Sequence, residues 1–150
     1  MELTRNEARA AERQLGVRLS MCGGDTDEHM YRLEQSNVLA GKIKAAPFTR
    51  QDAEVIYRER WIASVGYCLP VTQFSAKQCA DIQKPWYNAI LPKMGFNRHI
   101  KRAVIFGPIK FQGKQLTDYG TYQYTSRLER FVAYIRQDTE MGNLMRIQMD

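Results

Sequence analysis

Cysteine is scarce in this sequence. Cys22, Cys68 and Cys79 form an odd, widely spaced set with no Cys-x-x-Cys. A disulfide scaffold needs paired cysteines, so the pattern argues for a reducing, intracellular setting, nuclear or cytoplasmic, and against secretion. Long apolar runs are missing too. The longest, Trp61 to Pro70, is far short of the roughly 20 residues that cross a bilayer as a helix, so no membrane association is expected. The charged opening Met-Glu-Leu-Thr-Arg-Asn-Glu has no apolar stretch behind it, and no signal peptide is expected. No repeat of fixed period and no low-complexity tract occurs.

Several kinds of chemistry are also absent. Gly107-Pro-Ile-Lys-Phe-Gln-Gly113-Lys114 has five residues between its glycines where a phosphate-binding loop has four, and Gln115 replaces the hydroxyl that would hold magnesium. Asp25-Thr-Asp27 could open a calcium loop, but the twelfth position is Ser36, where a bidentate Glu is needed. Those acids suit a helix start better. Cys22 and His29 could share a metal, but the other candidate ligands, Cys68, Cys79 and His99, lie far along the chain and tight metal-ligand spacing is absent. His29 and His99 read as surface or hydrogen-bonded side chains. No nucleophile and base stand at a recognisable spacing. Neither catalytic residues nor metal ligands are assigned, and no cofactor is expected on this chain.

Charge is what the sequence does have. The net charge is +6. Residues 1–75 carry ten basic and ten acidic side chains, while residues 76–150 carry twelve basic and six acidic, so the excess lies wholly in the second half. No acid occurs between Asp81 and Asp118, a window that holds Lys84, Lys93, Arg98, Lys101, Arg102, Lys110 and Lys114. Trp86, Tyr87, Phe96, Phe106 and Phe111 are interspersed with them. Cations among aromatics suit a polyanion that also offers flat bases. The plainer alternative is a solvated basic loop.

The 150 residues make one domain's worth of chain and can bury a core. Residues 1–14 read as an N-terminal tail, in which Thr4-Arg-Asn-Glu7 has capping-box form and residues 5–14 could begin as a helix. Residues 15–24 read as a strand and turn, because Leu15 to Ser20 alternates apolar and polar before Cys22-Gly-Gly. Residues 25–91 read as three helices, capped by Asp25, by Thr49-Arg-Gln-Asp52 and by Ser75-Ala-Lys-Gln78. Their expected stripes are Met30, Leu33, Asn37, Ala40 and Gly41; then Ala53, Ile56, Tyr57, Trp61 and Val65; then Cys79, Ile82, Trp86 and Ile90. Pro70 should stop the second helix and Pro85 kink the third. Residues 92–117 lose the period and read as a basic aromatic loop, with Val104 to Phe106 a possible extended piece. Residues 118–150 read as C-terminal helices, with Tyr124, Leu128, Phe131, Val132 and Ile135 on one face. The fold class expected is mainly α: a small helical bundle with a short N-terminal β-strand or hairpin and a basic irregular loop. Its core should include Leu33, Ile56, Trp61, Ile82, Trp86, Leu128, Phe131 and Ile135.

The order of these segments resembles a family. Arg13-Gln-Leu15-Gly16-Val17-Arg18-Leu19 and the glycine turn after it resemble the Leu-Gly-Val element of reverse transcriptases from non-LTR retrotransposons. Tyr67-Cys-Leu-Pro70-Val-Thr72, Gln83-Lys-Pro85, Ile90-Leu-Pro-Lys-Met-Gly-Phe-Asn97 and Val104-Ile-Phe-Gly-Pro108 are similar to the post-palm region of reverse-transcriptase-like reading frames in protist and algal genomes. The likeness runs from about residue 13 to the end. It implies a primer-grip role for Leu15, Gly16 and Val17, a thumb-like helical region after them, and a template–primer duplex of RNA or DNA as partner. The nucleic-acid contacts expected on that basis and on charge are Lys93, Arg98, Lys101, Arg102, Lys110 and Lys114.

Two departures qualify the resemblance. Phe111-Gln-Gly113-Lys-Gln-Leu116 keeps one glycine where the family has a glycine-rich run. The palm's paired aspartates, which precede the Leu-Gly-Val element in that family, have no counterpart here. Polymerisation needs those carboxylates to hold two magnesium ions, so magnesium is expected only in a full-length polymerase. The chain is expected to be a C-terminal fragment that grips nucleic acid and is inactive alone. The alternative is a stand-alone helical protein-interaction module.

Overall fold

Leu15 and Gly16 turn the chain back on itself with φ of 47° and 87° in the computed structural model, which describes residues 11–20 and 22–147. Strands β1 (Ala11–Gln14) and β2 (Val17–Ser20) pair antiparallel with Gln14 opposite Val17, leaving a two-residue turn. Positive φ at both turn residues matches the right-handed twist of the strands. The Thr4–Glu7 capping box lies outside the described residues, but residues 11–14 are strand where a helix was expected. With few apolar positions to bury, that segment gains more from the ladder with 17–20 than from a helical turn.

Helix α1 (Thr26–Ala45) buries Glu28, Arg32, Ser36, Ala40 and Ile43. This stripe is displaced from the expected one. Met30 is 63% exposed, Asn37 and Gly41 face solvent, and Leu33 is half-buried. A charged pair and a serine occupy the inward side, and apolar counting cannot find them. Asp25 precedes the helix without capping it; its Oδ2 accepts from the Gln73 N–H at 2.5 Å.

A second helical rod runs from Arg50 to Cys68. It comprises α2 (Arg50–Val55), a π-helical turn (Ile56–Trp61), α3 (Ile62–Val65) and a 3₁₀ turn (Gly66–Cys68). The Thr49/Asp52 capping box forms at its start, and the rod ends before Pro70. Ala53, Tyr57, Trp61 and Val65 are all buried, with Ile56 packed at the margin. Helix α4 (Ala76–Lys93) opens on the Ser75/Gln78 box and buries Cys79, Ile82, Trp86 and Ile90 as expected, running through Pro85 and Pro92 as one helix.

The rod, α4 and Tyr119 from later in the chain meet at an aromatic centre. Tyr57, Trp61, Trp86 and Tyr119 have ring centroids 5.3 to 5.6 Å apart in successive contacts. Such rings bury about 150–250 Å² each and carry much of a small core's stabilisation. The Trp61 indole N–H donates to Ser36 Oγ at 3.3 Å, and that hydroxyl donates to the Ile82 carbonyl at 2.6 Å. One relay therefore joins α1, the rod and α4.

Beyond α4 come α5 (Arg102–Phe106), a 3₁₀ turn (Ile109–Phe111), α6 (Tyr119–Ile135) and α7 (Glu140–Ile147). Val104 to Phe106 is helix where an extended piece was expected. Arg102, Ala103 and Val104 are exposed, while Ile105 is buried and Phe106 packs beside it against Tyr87, so adjacent residues turn inward together as a helical turn allows and a strand does not. The core expected on α6 is overturned as well: Leu128 is 63% and Phe131 37% exposed, and Ile135 is half-buried. The helix docks through its other side. Gln123 accepts from Phe74 N–H at 2.9 Å and donates to the Phe74 carbonyl at 3.0 Å, and the Tyr119 hydroxyl donates to the Val65 carbonyl at 2.9 Å. Satisfying buried backbone groups decided the phase. The architecture is thus mainly α with a short N-terminal hairpin. Among the described residues, no helix is long and apolar enough to cross a membrane.

Candidate nucleic-acid interface

The stretch from Val104 to Leu116 looks irregular in sequence yet closes on itself. Lys114 N–H donates to the Val104 carbonyl at 2.9 Å, Gln115 N–H to Gly107 at 2.9 Å and Leu116 N–H to Ile105 at 3.1 Å. Ile105 and Leu116, 2% and 4% exposed, root the two sides in the core. A Cβ on Gly113 would strike the Gly107 carbonyl, and one on Gly107 would strike the Ala103 carbonyl. The turn between Gly107 and Gly113 projects Ile109 and Phe111, 67% and 73% exposed. Gln112 holds the turn with φ of 62°.

The six expected cations divide into two groups. Lys93 donates its ammonium to the Ala46 carbonyl at 2.7 Å, and Lys114 is paired with Glu54 at 2.7 Å. Both are half-buried and hold the protein together. Arg98, Lys101, Arg102 and Lys110 are exposed and have no carboxylate partner among the described residues. Arg102 lies 5.5 Å from the Tyr87 ring and Lys110 4.9 Å from the Phe111 ring, contacts that orient a cation without neutralising it. Two further arginines join this side. The Arg50 guanidinium covers Gly95, and Arg58 reaches within 3.5 Å of the Lys114 and Gln115 carbonyls. Sequence reading missed both, because they lie on the rod some 40 to 60 residues away and nothing local marks them.

Leu15, Gly16 and Val17 do not form one surface. Leu15 is 93% exposed at the hairpin tip, whereas Val17 is 5% exposed. Gly16 gives its carbonyl to Arg32 at 3.1 Å, and the Tyr67 hydroxyl donates to the Leu15 carbonyl at 3.1 Å. The hairpin is therefore fastened to α1 and the rod, with Leu15 alone presented outward.

A cleft of about 280 Å³ lies between α4 and the start of α6, lined in part by Cys79, Gln83, Arg102, Asp118 and Gln123. Its polar groups are mostly committed to the fold. Asp118 caps α6 by accepting from Thr121 N–H at 3.1 Å, and Gln83 donates to Asp118 Oδ1 at 3.0 Å while accepting from Tyr119 N–H at 3.2 Å. Burial pushes the Cys79 thiol up to about 11, so it is not an activated nucleophile. Burial likewise raises the Cys68 thiol and the Tyr57, Tyr87 and Tyr119 hydroxyls. His29 is half-buried with its ring edge-on to Phe74 at 5.9 Å, and His99 is exposed. Among the described residues, no group of three His, Cys, Asp or Glu could hold a metal ion.

No family model matches this chain, and neither a curated protein nor a solved structure does.

Proposed function

We propose that the chain is the thumb-like, post-palm part of a retrotransposon-type reverse transcriptase and that it grips template–primer nucleic acid. Arg98, Lys101, Arg102 and Lys110 contact the phosphates. The order of motifs from Leu15 to Pro108 supports the family part of this reading. One observation carries the interface: four exposed cations without acidic partners stand close together in sequence, Lys110 on the loop that Lys114, Gln115 and Leu116 close, and Arg98, Lys101 and Arg102 on the turn and the start of α5 that lead into it. Pre-ordering matters, because a loop that must be fixed on binding loses entropy at that moment. The exposed Phe111 ring adds a flat apolar surface of the kind bases stack on. Lys93 and Lys114 leave the contact set and act as internal struts.

Binding of a primed RNA–DNA hybrid, followed by fluorescence anisotropy across a salt series, tests this. Each neutralised phosphate contributes about −0.9 to the slope of log affinity against log salt, so four contacts give roughly −3 to −4 on a B-form duplex. Replacing Arg98, Lys101 and Arg102 together by Ala flattens the slope by up to about 3. Purified residues 1–150 with magnesium extend no primer, because the two-metal carboxylates are missing from the sequence. Absence of binding at low salt, or a triple variant with an unchanged slope, moves the reading to a helical protein-interaction module. The outward apolar side of α6 favours that second reading.

A further inference from the structure

Arg50, Glu54 and Arg58 stand four residues apart on the rod, a spacing that sets side chains along one side of a helix. All three lean on the segments that carry the candidate interface. The Arg50 guanidinium takes the room that the missing side chain of Gly95 leaves. Its Cζ and Nε lie 3.0 and 3.2 Å from where a Cβ would stand, and Nη2 lies nearer still. Eight residues on, Arg58 Nη2 donates to the Lys114 and Gln115 carbonyls at 3.5 Å each. Glu54, one turn from both arginines, is taken by Lys114 at 2.7 Å.

The two arginines are therefore held in place without being neutralised. Both are exposed, and among the described residues neither meets a carboxylate. Arg50 donates to no group there, and the contacts of Arg58 are long and occupy one nitrogen. A guanidinium carries five N–H donors in a planar fork that matches two phosphate oxygens. Most of that capacity is unused within the protein. A cation already placed also loses less freedom on binding than one that must first be ordered.

Both positions adjoin the exposed cations already described. Gly95 is three residues from Arg98, a reach of at most about 11 Å along the chain. Lys114 N–H bonds to the Val104 carbonyl at 2.9 Å, and Val104 follows Arg102 by two residues, at most about 7 Å. The rod thus widens the basic side instead of starting another. We propose that Arg50 and Arg58 are two further phosphate contacts, so that nucleic acid lies across both the rod and the stretch 98–110. The proposal rests on the nucleic-acid reading above and enlarges its contact set from four cations to six. Contacts to phosphate carry no base identity, so the added strip holds any sequence.

Fluorescence anisotropy with a primed duplex across a salt series tests it. Six neutralised phosphates give a slope of roughly −5 on B-form DNA, and Arg50→Gln with Arg58→Gln brings it back to between about −3 and −4. Arg50→Lys with Arg58→Lys keeps the slope, because charge governs counterion release. Arg60 lies roughly half a turn round the rod from Arg58, and Arg130 lies on α6. Arg60→Gln with Arg130→Gln removes the same charge and leaves the slope as it was. Both glutamine pairs keep their helical circular dichroism, since all four side chains are exposed. A slope of about −3 to −4 that the Arg50 and Arg58 glutamine pair does not change overturns the proposal and leaves the four-cation reading standing. Equal flattening by the Arg60 and Arg130 pair reveals an effect of net charge alone and overturns it too. Absence of binding at low salt removes both readings.

Discussion

Glu28 and Arg32, one turn apart on α1, form an ion pair at 2.6 Å with side chains 0% and 4% exposed. Both groups are otherwise satisfied. Glu28 Oε2 accepts from the Arg18 N–H at 2.7 Å, and Arg32 donates to Gln35, to the Ser64 carbonyl at 2.9 Å and to the Gly16 carbonyl. One side-chain pair therefore pins the hairpin, α1 and the rod together. Desolvating two charges is costly, and only this full set of partners offsets it.

Removing one partner should be severe. Arg32→Ala leaves a buried carboxylate without its cation and takes the guanidinium donor from the Ser64 and Gly16 carbonyls, and losses of about 3–5 kcal/mol are usual for such a change. Urea unfolding should show the midpoint falling at similar cooperativity. A loss under about 1 kcal/mol would mean that water reaches the site.

That pair also shows where sequence reading stops. The stripes on the rod and on α4 were legible because Ala53, Tyr57, Trp61 and Val65, and Cys79, Ile82, Trp86 and Ile90, keep helical spacing behind two capping boxes that both form. The inward face of α1 was not, because Glu28, Arg32 and Ser36 are polar and are buried only in company with partners from distant segments. The phase of α6 failed for a related reason: Gln123 is drawn inward by the Phe74 backbone, which no periodicity records. At the candidate interface, charge located the segment but could not separate Lys93 and Lys114, held by Ala46 and Glu54, from the cations left free.

The buried acids of the core give a pH signature. Burial raises Cys79 to about 11 and raises Tyr57, Tyr87 and Tyr119 above the ordinary 10, so the folded state keeps protons that the unfolded chain gives up. Stability is complete below the unfolded values and declines as pH rises past about 9 for the thiol and 10 for the phenols. Ultraviolet titration should show part of the eight-tyrosine change appearing only with loss of helical circular dichroism. At pH 8 a thiol reagent should modify the exposed Cys22 quickly and Cys68 and Cys79 only on unfolding. Three equally fast thiols would contradict the packing.

Strut and contact lysines should separate experimentally. Lys114→Ala breaks the pair with Glu54, which is about one-third exposed, so its effect on stability is expected within about 1 kcal/mol. Its salt slope for nucleic acid should match that of the unaltered protein. Lys110→Ala should do the reverse, leaving stability alone and reducing the slope by about 0.9 on duplex DNA. Equal slopes for the two variants would undo the division of the six cations.

Gly113→Ala tests whether the loop geometry matters as much as its charge. A methyl at this position meets the Gly107 carbonyl, the acceptor for the Gln115 N–H, so the contact that closes the loop must give way. The aromatic centre of Trp61 and Trp86 lies on other elements, and the global melting temperature should move little. The loop itself should open more often. One or two kcal/mol of local destabilisation raises an open population roughly 5- to 30-fold. Trypsin should cut after Lys110 and Lys114 faster by about that factor, provided the enzyme is kept dilute enough for reclosing to outpace cleavage. Affinity for the primed hybrid should fall while the salt slope holds, because every cation is still present and only its placement has been loosened. Cleavage at the unaltered rate would show that the Gly107–Gly113 contact does not hold the loop.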